Sequence, residues 1–439
     1  MKSPIFKTIF LLSFIFVFTS CSSIKERKIE KQKQKELAIQ NIKKSSALDE
    51  YVSKLSIQEK VCQLFIENLE GNSKLIPVEH YGDLSGNRGE GKALIPGGYI
   101  FFSYNLSETP QKVISFTNNI KKYCFDNELI VPFLAADQEG GLVTRLRNLC
   151  GPLPSNQRVS EKLDLTKAYE LYELQALQMK ALGFDMNLAP VVEVCTDYNK
   201  EFLNERSFGS KEQVISYGKA CVTAYENNGI CTVLKHFPGN SNTDPHTGLP
   251  EIDLSLEKMN DLLEPFCSLM KMSSAVLMSH ARTVCLDSQV PACLSYSWIT
   301  DRIRNTEKYE GIIFSDDIFM GALQDNGYPP ETACVMAIDS GINCIMISEK
   351  RFGKAAKVLI EKASEDETFS QKIDESVKKI LSYKIKAGYL EYQKKETETD
   401  YEYELVPVLN FDSLENRLES FNQAKKKNVE LYMEYFYNK

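Results

Sequence analysis

Short apolar runs alternate with longer segments of helical periodicity from about residue 48 to residue 390. We predict eight strands from these runs: Val61–Ile66, Gly98–Phe102, Val131–Ala136, Phe184–Leu188, Thr232–Leu234, Ala275–Met278, Gly311–Phe314 and Cys344–Ile347. Segments with helical spacing lie between them, among them Glu161–Leu182, Lys211–Asn227, Leu256–Met270 and Pro330–Ser340. Continuous apolar runs are typical of strands that are buried on both faces. Eight strand–helix units in one run predict an α/β fold, a (β/α)8 TIM-type barrel that forms a single domain over residues 48–390.

The first residues of the chain do not follow this alternation. Residues 1–20 combine positive charge at Lys2 and Lys7 with an apolar core at Ile9–Phe18. That core is too short to span a bilayer permanently, so we predict a secretory signal. The small residues before Cys21 resemble those of a bacterial lipoprotein signal, which makes Cys21 the expected lipidation site and the lipid the only membrane contact. An ordinary cleaved signal is the alternative, and either processing exports the protein.

Charged segments flank the predicted barrel on both sides. Residues 21–47 are rich in Lys, Glu and Gln, which predicts a solvated tether or an exposed helix. Residues 391–439 form the tail, in which the charged segment Tyr392–Glu404 indicates a linker and Leu414–Tyr437 has helical spacing. For that helix, packing on the barrel is favoured over binding to a partner.

Composition narrows the class of protein. A hydrophobic content of 43% and a charged content of 26% are ordinary for a globular chain. The net charge of −8, without a basic stripe, argues against a nucleic-acid surface. Apart from Cys21, the cysteines are scattered singly and several lie in apolar runs, so we predict small core residues, with one or two disulfides left open. We expect a monomer that needs neither cofactor nor metal.

Polar residues follow five of the predicted strands. In a barrel of this class the active site lies at the C-terminal strand ends, so these residues should converge around one opening. A single Asp after a strand is more often a helix N-cap, but five strands that end in the same way are hard to assign to capping. The five sets are Asp137–Gly141, Asn187–Pro190, Lys235–His236, Ser279–His280 and Ser315–Asp317.

The segment Leu234–Pro250 holds two of the four histidines of the chain, His236 and His246. Asp244 lies two residues before His246. A carboxylate at this spacing can bind one imidazole nitrogen, which fixes the tautomer and raises the basicity of the other nitrogen. The segment taken alone also fits a solvated surface loop.

Six motifs, in this order, resemble those of glycoside hydrolase family 3, and in particular its single-domain β-N-acetylhexosaminidase branch. KHFPG followed by Asp-x-His is the most specific of them, because other branches of the family take their acid from a second domain. The motifs are DQEGGLVTR (137–145), NLAPVVEV (187–194), NERSFGS (204–210), KHFPG (235–239), DPH (244–246) and FSDDIFMGAL (314–323).

The resemblance implies a retaining glycosidase that removes terminal β-linked N-acetylhexosamine from a carbohydrate, in cell-wall or glycan turnover. Asp316 matches the nucleophile, His246 the general acid/base on a mobile loop, and Asp244 the partner that orients it. The residues that match those holding the terminal sugar are Asp137, Arg145, Arg206, Lys235 and His236. The chemistry agrees, because retention needs one carboxylate and one proton donor. We expect Lys235 and one of the arginines to keep Asp316 ionised.

Two features of the resemblance leave choices open. Asp317 competes with Asp316 by proximity, but strand alternation points it away, which favours an N-cap or a supporting role. Asn240–Asn242 replaces a histidine and a glycine that many relatives carry, and Pro245 stiffens the loop. The mobility of the loop and the leaving-group side of the substrate are therefore not fixed by the resemblance.

Parts of the sequence also fit other functions. A β-glucosidase-type activity fits the family, and so does phosphorolysis, because a histidine does not repel phosphate as a carboxylate would. A catalytically inactive, sugar-binding lipoprotein is a further alternative. A metal-dependent hydrolase could use His236, His246, Asp244 and His280. It is disfavoured because no His-x-His or His-Glu-x-x-His spacing is present and Lys235 would lie beside the cation.

Overall fold

The structure, a computed structural model, describes residues 5–437 and, for residues 5–28, only the course of the backbone. The predicted signal core lies within this backbone-only stretch, and the side chain of Cys21 is outside the description, so signal and lipidation remain predictions. Among the described residues, no helix has the length and apolar character needed to cross a membrane.

Eight parallel strands close into a barrel in the order β1, β2, β3, β6, β7, β9, β11, β12 and back to β1. The strands of the chain are β1 Phe65–Asn68, β2 Gly98–Phe101, β3 Phe133–Ala136, β4 Gln138–Gly140, β5 Val143–Thr144, β6 Met186–Asn187, β7 Cys231–Phe237, β8 Glu251–Ile252, β9 Ala275–Met278, β10 Arg282–Thr283, β11 Ile312–Asp317, β12 Cys344–Ile347, β13 Leu390–Glu396 and β14 Tyr401–Pro407. The predicted (β/α)8 barrel is confirmed.

Helices lie between the barrel strands and at both ends of the chain. They are α1 Ile5–Lys54, α2 Ile57–Gln63, α3 Pro110–Asp126, α4 Asn156–Lys162, α5 Leu165–Leu182, α6 Lys200–Leu203, α7 Lys211–Asn227, α8 Leu256–Leu269, α9 Gly321–Gln324, α10 Pro330–Ser340, α11 Gly353–Glu365, α12 Glu367–Lys386 and α13 Leu414–Tyr432. Wider π-helical turns form Ser297–Thr306 and Met433–Tyr437.

The first barrel strand begins later than predicted. We expected a strand over Val61–Ile66, but Ile57–Gln63 is helical and β1 starts at Phe65. The cause is a capping box, in which the Ser56 side chain accepts from the Glu59 N–H and the Glu59 carboxylate accepts from the Ser56 N–H. A Ser-x-x-Glu pattern before an apolar run was the sequence signal for this helix.

The core fixes where the barrel strands end. The residues of β7 are all buried, including Lys235 and His236 near its end. The ring of Phe237 packs edge-on against Phe266 of α8, with centroids 5.3 Å apart, and against Trp298, at 5.6 Å. Because one aromatic residue anchors the end of the strand, the two polar residues before it are held in a defined position.

The cysteines with described side chains form no disulfide. Eight of these eleven are buried, Cys267 and Cys285 are half-buried, and Cys195 is exposed. Burial raises the pKa of the Cys62 and Cys124 thiols to about 12. This agrees with their prediction as small core residues.

The chain divides into two compact units. The larger contains Leu55–Glu391 and the segment from Pro407 onward, and the smaller contains α1 and residues 392–406. In the smaller unit, Lys43 donates to the Asp400 carboxylate and to the Tyr401 carbonyl oxygen, at 2.5 and 2.6 Å. The predicted tether therefore lies in a helix, the second of the two forms expected for it.

The prediction of a linker over Tyr392–Glu404 is wrong. These residues lie in β13 and β14, which pair as a two-stranded sheet. The charge of the segment obscured an alternation of period two, in which Tyr401, Tyr403 and Leu405 point to one face and charged residues to the other. In the larger unit, α13 packs against α5, where the Arg417 side chain donates to the Ala181 carbonyl oxygen at 2.8 Å.

Candidate active site

A cavity of about 320 Å³ opens at the C-terminal ends of the barrel strands. Side chains from the ends of β2, β3, β7, β11 and β12 line it, as expected for the active-site end of this fold. Seven of the eight predicted site residues lie in its wall: Asp137, Arg145, Arg206, Lys235, His236, His246 and Asp316. The eighth, Asp244, lies behind His246. The structure thus brings the set together, whereas the roles of its members stay predictions.

A cluster of opposite charges forms one wall of the cavity, with Glu139 at its centre. Arg206 donates two hydrogen bonds to the Glu139 carboxylate, at 2.8 and 2.9 Å. The Lys235 ammonium lies 2.7 Å from the same carboxylate and 2.7 Å from that of Asp137. Arg145 completes the cluster at 3.8 Å from Asp137. These five residues, the Glu139 cluster, present charged hydrogen-bond donors and acceptors at the cavity wall.

Burial and charge act in opposite directions within the Glu139 cluster. Burial alone would raise the pKa of Glu139, but Lys235 and Arg206 outweigh it and hold that pKa well below its usual range. Burial would likewise lower the pKa of Lys235, yet Asp137 and Glu139 raise it above its ordinary value. Glu139 and Lys235 are therefore both ionised at neutral pH. We assigned no role to Glu139 from the sequence, although it alternates with Asp137 and so shares its face.

A second unassigned carboxylate, Glu193, orients His236. Its Oε1 atom lies 2.7 Å from Nδ1 of His236, and its Oε2 atom accepts the Asn240 N–H at 2.8 Å. The Nε2 atom of His236 is 3.4 Å from the Arg206 guanidinium, which donates to it. This assigns the Nδ1–H tautomer to His236. Asn240, one of the departures from the family motif, thus joins the start of the following loop to the same carboxylate.

Asp316 lies near the end of β11 and faces the cavity. Burial alone would raise the pKa of Asp316. His280, His236, the Asp317 N–H and Lys235 together outweigh burial and hold that pKa below its usual value. The expectation that Lys235 and an arginine keep Asp316 ionised is therefore only half right. The two arginines bind Glu139 and Asp137 instead, and His280 and His236 contribute more than Lys235 to the lowered pKa of Asp316.

Asp317 and His280 support the floor of the cavity. The Asp317 carboxylate accepts the N–H groups of Phe319 and Ser348, both at 3.1 Å, so it joins the ends of β11 and β12. This is a supporting role and not an N-cap, since Met320 precedes α9. The buried His280 ring donates from Nε2 to the Asp317 carbonyl oxygen at 3.0 Å. Among the side chains described, no three metal-binding groups come together.

His246 lies on an exposed loop beside this floor. Its Nδ1 atom is 2.7 Å from the Asp244 carboxylate, and the same oxygen accepts its backbone N–H at 3.0 Å. Hydrogen bonds from His246 lower the pKa of Asp244. The pairing leaves Nε2 of His246 available for proton transfer. The side chain of His246 is 67% exposed, in contrast to the buried Glu139 and Lys235.

The loop is attached to the chain that follows the Asp316 strand. The Ala322 N–H donates to the Pro245 carbonyl oxygen at 3.0 Å. A Cβ atom at Gly321 would lie 2.8 Å from the His246 carbonyl oxygen, closer than such contacts occur. Glycine at 321 therefore permits the approach that places His246 at the rim.

Comparisons with known proteins show the family to which the chain belongs. The model of the glycosyl hydrolase family 3 N terminal domain matches residues 90–383. A β-hexosaminidase of Pseudomonas aeruginosa is 31% identical over 263 residues, which cover 56% of this chain and 75% of that protein. β-Hexosaminidase A of Pseudoalteromonas piscicida is 28% identical over 323 residues, 66% of this chain and 53% of that protein. The chain thus spans about half the length of this second relative.

Solved structures give the same result. A family 3 β-N-acetylglucosaminidase from Paenibacillus superposes with a TM-score of 0.67 at 25% identity, covering 84% of this chain and 69% of that one. The family match includes every strand of the barrel from β2 to β12 and each predicted site residue except Cys21. The chain therefore belongs to glycosyl hydrolase family 3.

Proposed function

We propose that the chain is a retaining β-N-acetylhexosaminidase, which removes terminal β-linked N-acetylglucosamine from a glycan. The main observation behind this proposal is that a carboxylate and the histidine of a histidine–carboxylate pair line the same cavity from different parts of the fold. A strand-end carboxylate, Asp316, is kept ionised on the barrel, and an Asp244–His246 pair stands on a separate loop. Hydrolysis with retention needs this combination of a fixed nucleophile and a proton donor that can return as a base.

The reaction proceeds in two displacements. Asp316 attacks the anomeric carbon while Nε2–H of His246 protonates the leaving oxygen, so a glycosyl–enzyme ester forms and the alcohol departs. His246 then removes a proton from water, the water oxygen attacks the anomeric carbon, and Asp316 leaves as a carboxylate. Asp244 stabilises the imidazolium form of His246, which exists before the first displacement and forms again when His246 has taken the proton from water. The Glu139 cluster and His236 hold the sugar through its hydroxyl groups.

The activity is tested by turnover of a chromogenic β-N-acetylglucosaminide by the purified chain, with the β-glucoside as the competing substrate. We expect the N-acetylglucosaminide to be preferred, the first product to be the β-anomer by NMR, and EDTA to have no effect. Asp316→Ala is the matched control for contaminating activity. A protein that binds the sugar without turnover is an inactive lipoprotein, and a preference for the glucoside contradicts the sugar assignment.

Phosphorolysis is distinguished by repeating the assay in phosphate buffer. A hydrolase releases free N-acetylglucosamine at all phosphate concentrations, whereas a phosphorylase releases its 1-phosphate in proportion to phosphate.

We also propose that the enzyme is exported and anchored to a membrane by a lipid on Cys21, in the bacterial periplasm or at the cell surface. There it acts in cell-wall or glycan turnover. The support is the sequence alone, an apolar core at Ile9–Phe18 followed by small residues and Cys21. In cells, Cys21→Ser should move the activity from the membrane to the soluble fraction. Retention of the variant in the membrane fraction contradicts the anchor.

A further inference from the structure

The C-terminal helix α13 lies beyond residues 90–383, the segment that the family model matches. One of its side chains, Asn428, is nevertheless part of a buried hydrogen-bond network that reaches the sugar-binding wall. We propose that Asn428 is a positioning residue for residues 137–147, which carry Asp137, Glu139 and Arg145. The kinetic part of this proposal rests on the proposed function.

The network begins at the Asn428 amide, which is fully buried. Its Oδ1 atom accepts hydrogen bonds from Nε2 of Gln175, at 2.7 Å, and from Nε2 of Gln178, at 3.2 Å. Its Nδ2 atom donates to the Pro152 carbonyl oxygen at 3.1 Å. A Cβ atom at Gly151 would lie only 2.3 Å from Oδ1, so the backbone of that loop packs directly on the amide.

Gln175 of α5 carries the connection inward. Its Nε2 atom also donates to the Gly151 carbonyl oxygen at 2.9 Å, and its Oε1 atom accepts from Nε2 of Gln138 at 3.0 Å. Gln138 in turn accepts the Leu146 N–H at 3.1 Å through its own Oε1 atom. The chain of contacts thus runs from Asn428 through two glutamine amides to the backbone of the sugar-binding segment.

The two contact points are adjacent to the residues that line the cavity. Gln138 lies between Asp137 and Glu139, and strand alternation turns its side chain away from them. Leu146 follows Arg145. A rotation of the Gln138 side chain therefore shifts the backbone on both sides of the turn that carries three cavity groups.

The network is expected to behave as a unit because all of its amides are buried. Gln175, Gln178 and Asn428 are 0% exposed, and Gln138 is 1% exposed. A buried amide that loses its partner keeps the full penalty of desolvation and is free to rotate to another partner. Loss of Asn428 removes one of the two acceptors of the Gln175 Nε2 atom and leaves only the Gly151 carbonyl oxygen, whose loop itself packs on Asn428.

The test compares Asn428→Leu, which keeps the volume but not the hydrogen bonds, with Leu431→Ala one turn further along α13. Leu431 is buried, and no hydrogen bond of its side chain is possible. We expect Asn428→Leu to raise KM on the order of tenfold with kcat changed less than about twofold, because a positioned wall is lost but the nucleophile is not. Leu431→Ala should lower the melting temperature without changing KM.

Two further variants separate positioning from general stability. Asn428→Asp keeps the acceptor for both glutamines, so its KM should lie near the wild-type value even if it melts earlier. The double variant Asn428→Leu/Gln138→Leu should have a KM no higher than the larger single effect, since both changes break one chain of contacts. Additive effects, or an equal rise in KM for Leu431→Ala, would overturn the proposal.

Amide hydrogen exchange gives a readout that does not depend on activity. In Asn428→Leu, the backbone amides of Leu146 and Gly151 should exchange faster than in wild type, whereas Leu431→Ala should leave them protected. If the wild-type chain does not cleave the chromogenic substrate, the proposed function fails while this measurement still decides on the network. Unchanged exchange at both amides in a folded Asn428→Leu protein overturns the inference.

Discussion

Replacing Glu139 with Gln removes the negative charge that lies between Lys235 and Arg206 while keeping the shape of the side chain. Lys235 retains Asp137 at 2.7 Å, but Arg206 loses both of its bonds to a carboxylate. Breaking a buried ion pair from one side costs about 3–5 kcal/mol, and the partner that remains for Lys235 places this change near the lower end, about 3 kcal/mol. At about 2 °C per kcal/mol for a large domain, the melting temperature should fall by roughly 6 °C.

The same change should reduce catalysis. Arg206 and Lys235 line the cavity, so their displacement should lower kcat/KM for the chromogenic substrate on the order of 100-fold. Differential scanning fluorimetry and initial rates measure the two effects on one preparation. Glu310→Gln is the matched control, because Glu310 forms an exposed pair with Lys379 and its loss should change neither quantity noticeably.

The effect of Glu139 on stability also depends on pH in a defined direction. The folded protein holds the pKa of Glu139 below that of the unfolded chain, so the stabilisation is complete above the unfolded pKa of about 4.3 and declines as the pH falls below it. The difference in melting temperature between wild type and Glu139→Gln should therefore shrink in acid. A variant that melts within about 1 °C of wild type at pH 7 and keeps its kcat/KM would refute this account of the cluster.

Five further substitutions test the catalytic groups and the position of the His246 loop. Asp316→Ala should abolish turnover while the fold is retained, and wild-type turnover in this variant together with loss in Asp317→Ala would exchange their roles. His246→Ala should spare glycosylation by an activated aryl substrate and slow the following hydrolysis, giving a burst that azide rescues, and Asp244→Asn should show a weaker form. A folded His246→Ala protein with neither burst nor rescue contradicts the acid/base assignment. Gly321→Ala should displace the loop that carries His246, and so lower turnover about tenfold for substrates with poor leaving groups and little for activated ones. An equal loss for both kinds of substrate would contradict a displacement of that loop.

The sequence was most informative where an apolar run ends in polar residues. Lys235, His236 and Asp316 could be placed at one end of a barrel because parallel strands bring their C-terminal ends together. Glu139 and Glu193 lay inside quoted motifs, yet nothing in their spacing distinguished a buried carboxylate with two partners from a solvated one. Their roles follow from contacts between different strands, which a linear pattern does not contain.

Distance along the chain explains why the contacts of Asn428 could not be predicted from the sequence. Asn428 meets Gln175 across more than two hundred residues of sequence, and a polar residue on an amphipathic helix ordinarily indicates its solvated side. The hairpin of β13 and β14 was missed for a different reason. Its alternating tyrosines are outnumbered by charged residues, so a composition typical of a linker conceals the period-two pattern of a strand.

The separation of His246 from the Glu139 cluster determines which residues of the site can be substituted independently of the others. The loop that carries His246 is exposed, and a hydrogen bond between backbone atoms attaches it to the segment after β11. Its exposed side chains can therefore be replaced together at little cost in stability. The Glu139 cluster allows no such exchange, because each member is paired with another and its central pair, Glu139 and Lys235, is buried. The loop that carries His246 can therefore change by small steps, whereas a change in the Glu139 cluster requires several substitutions at once.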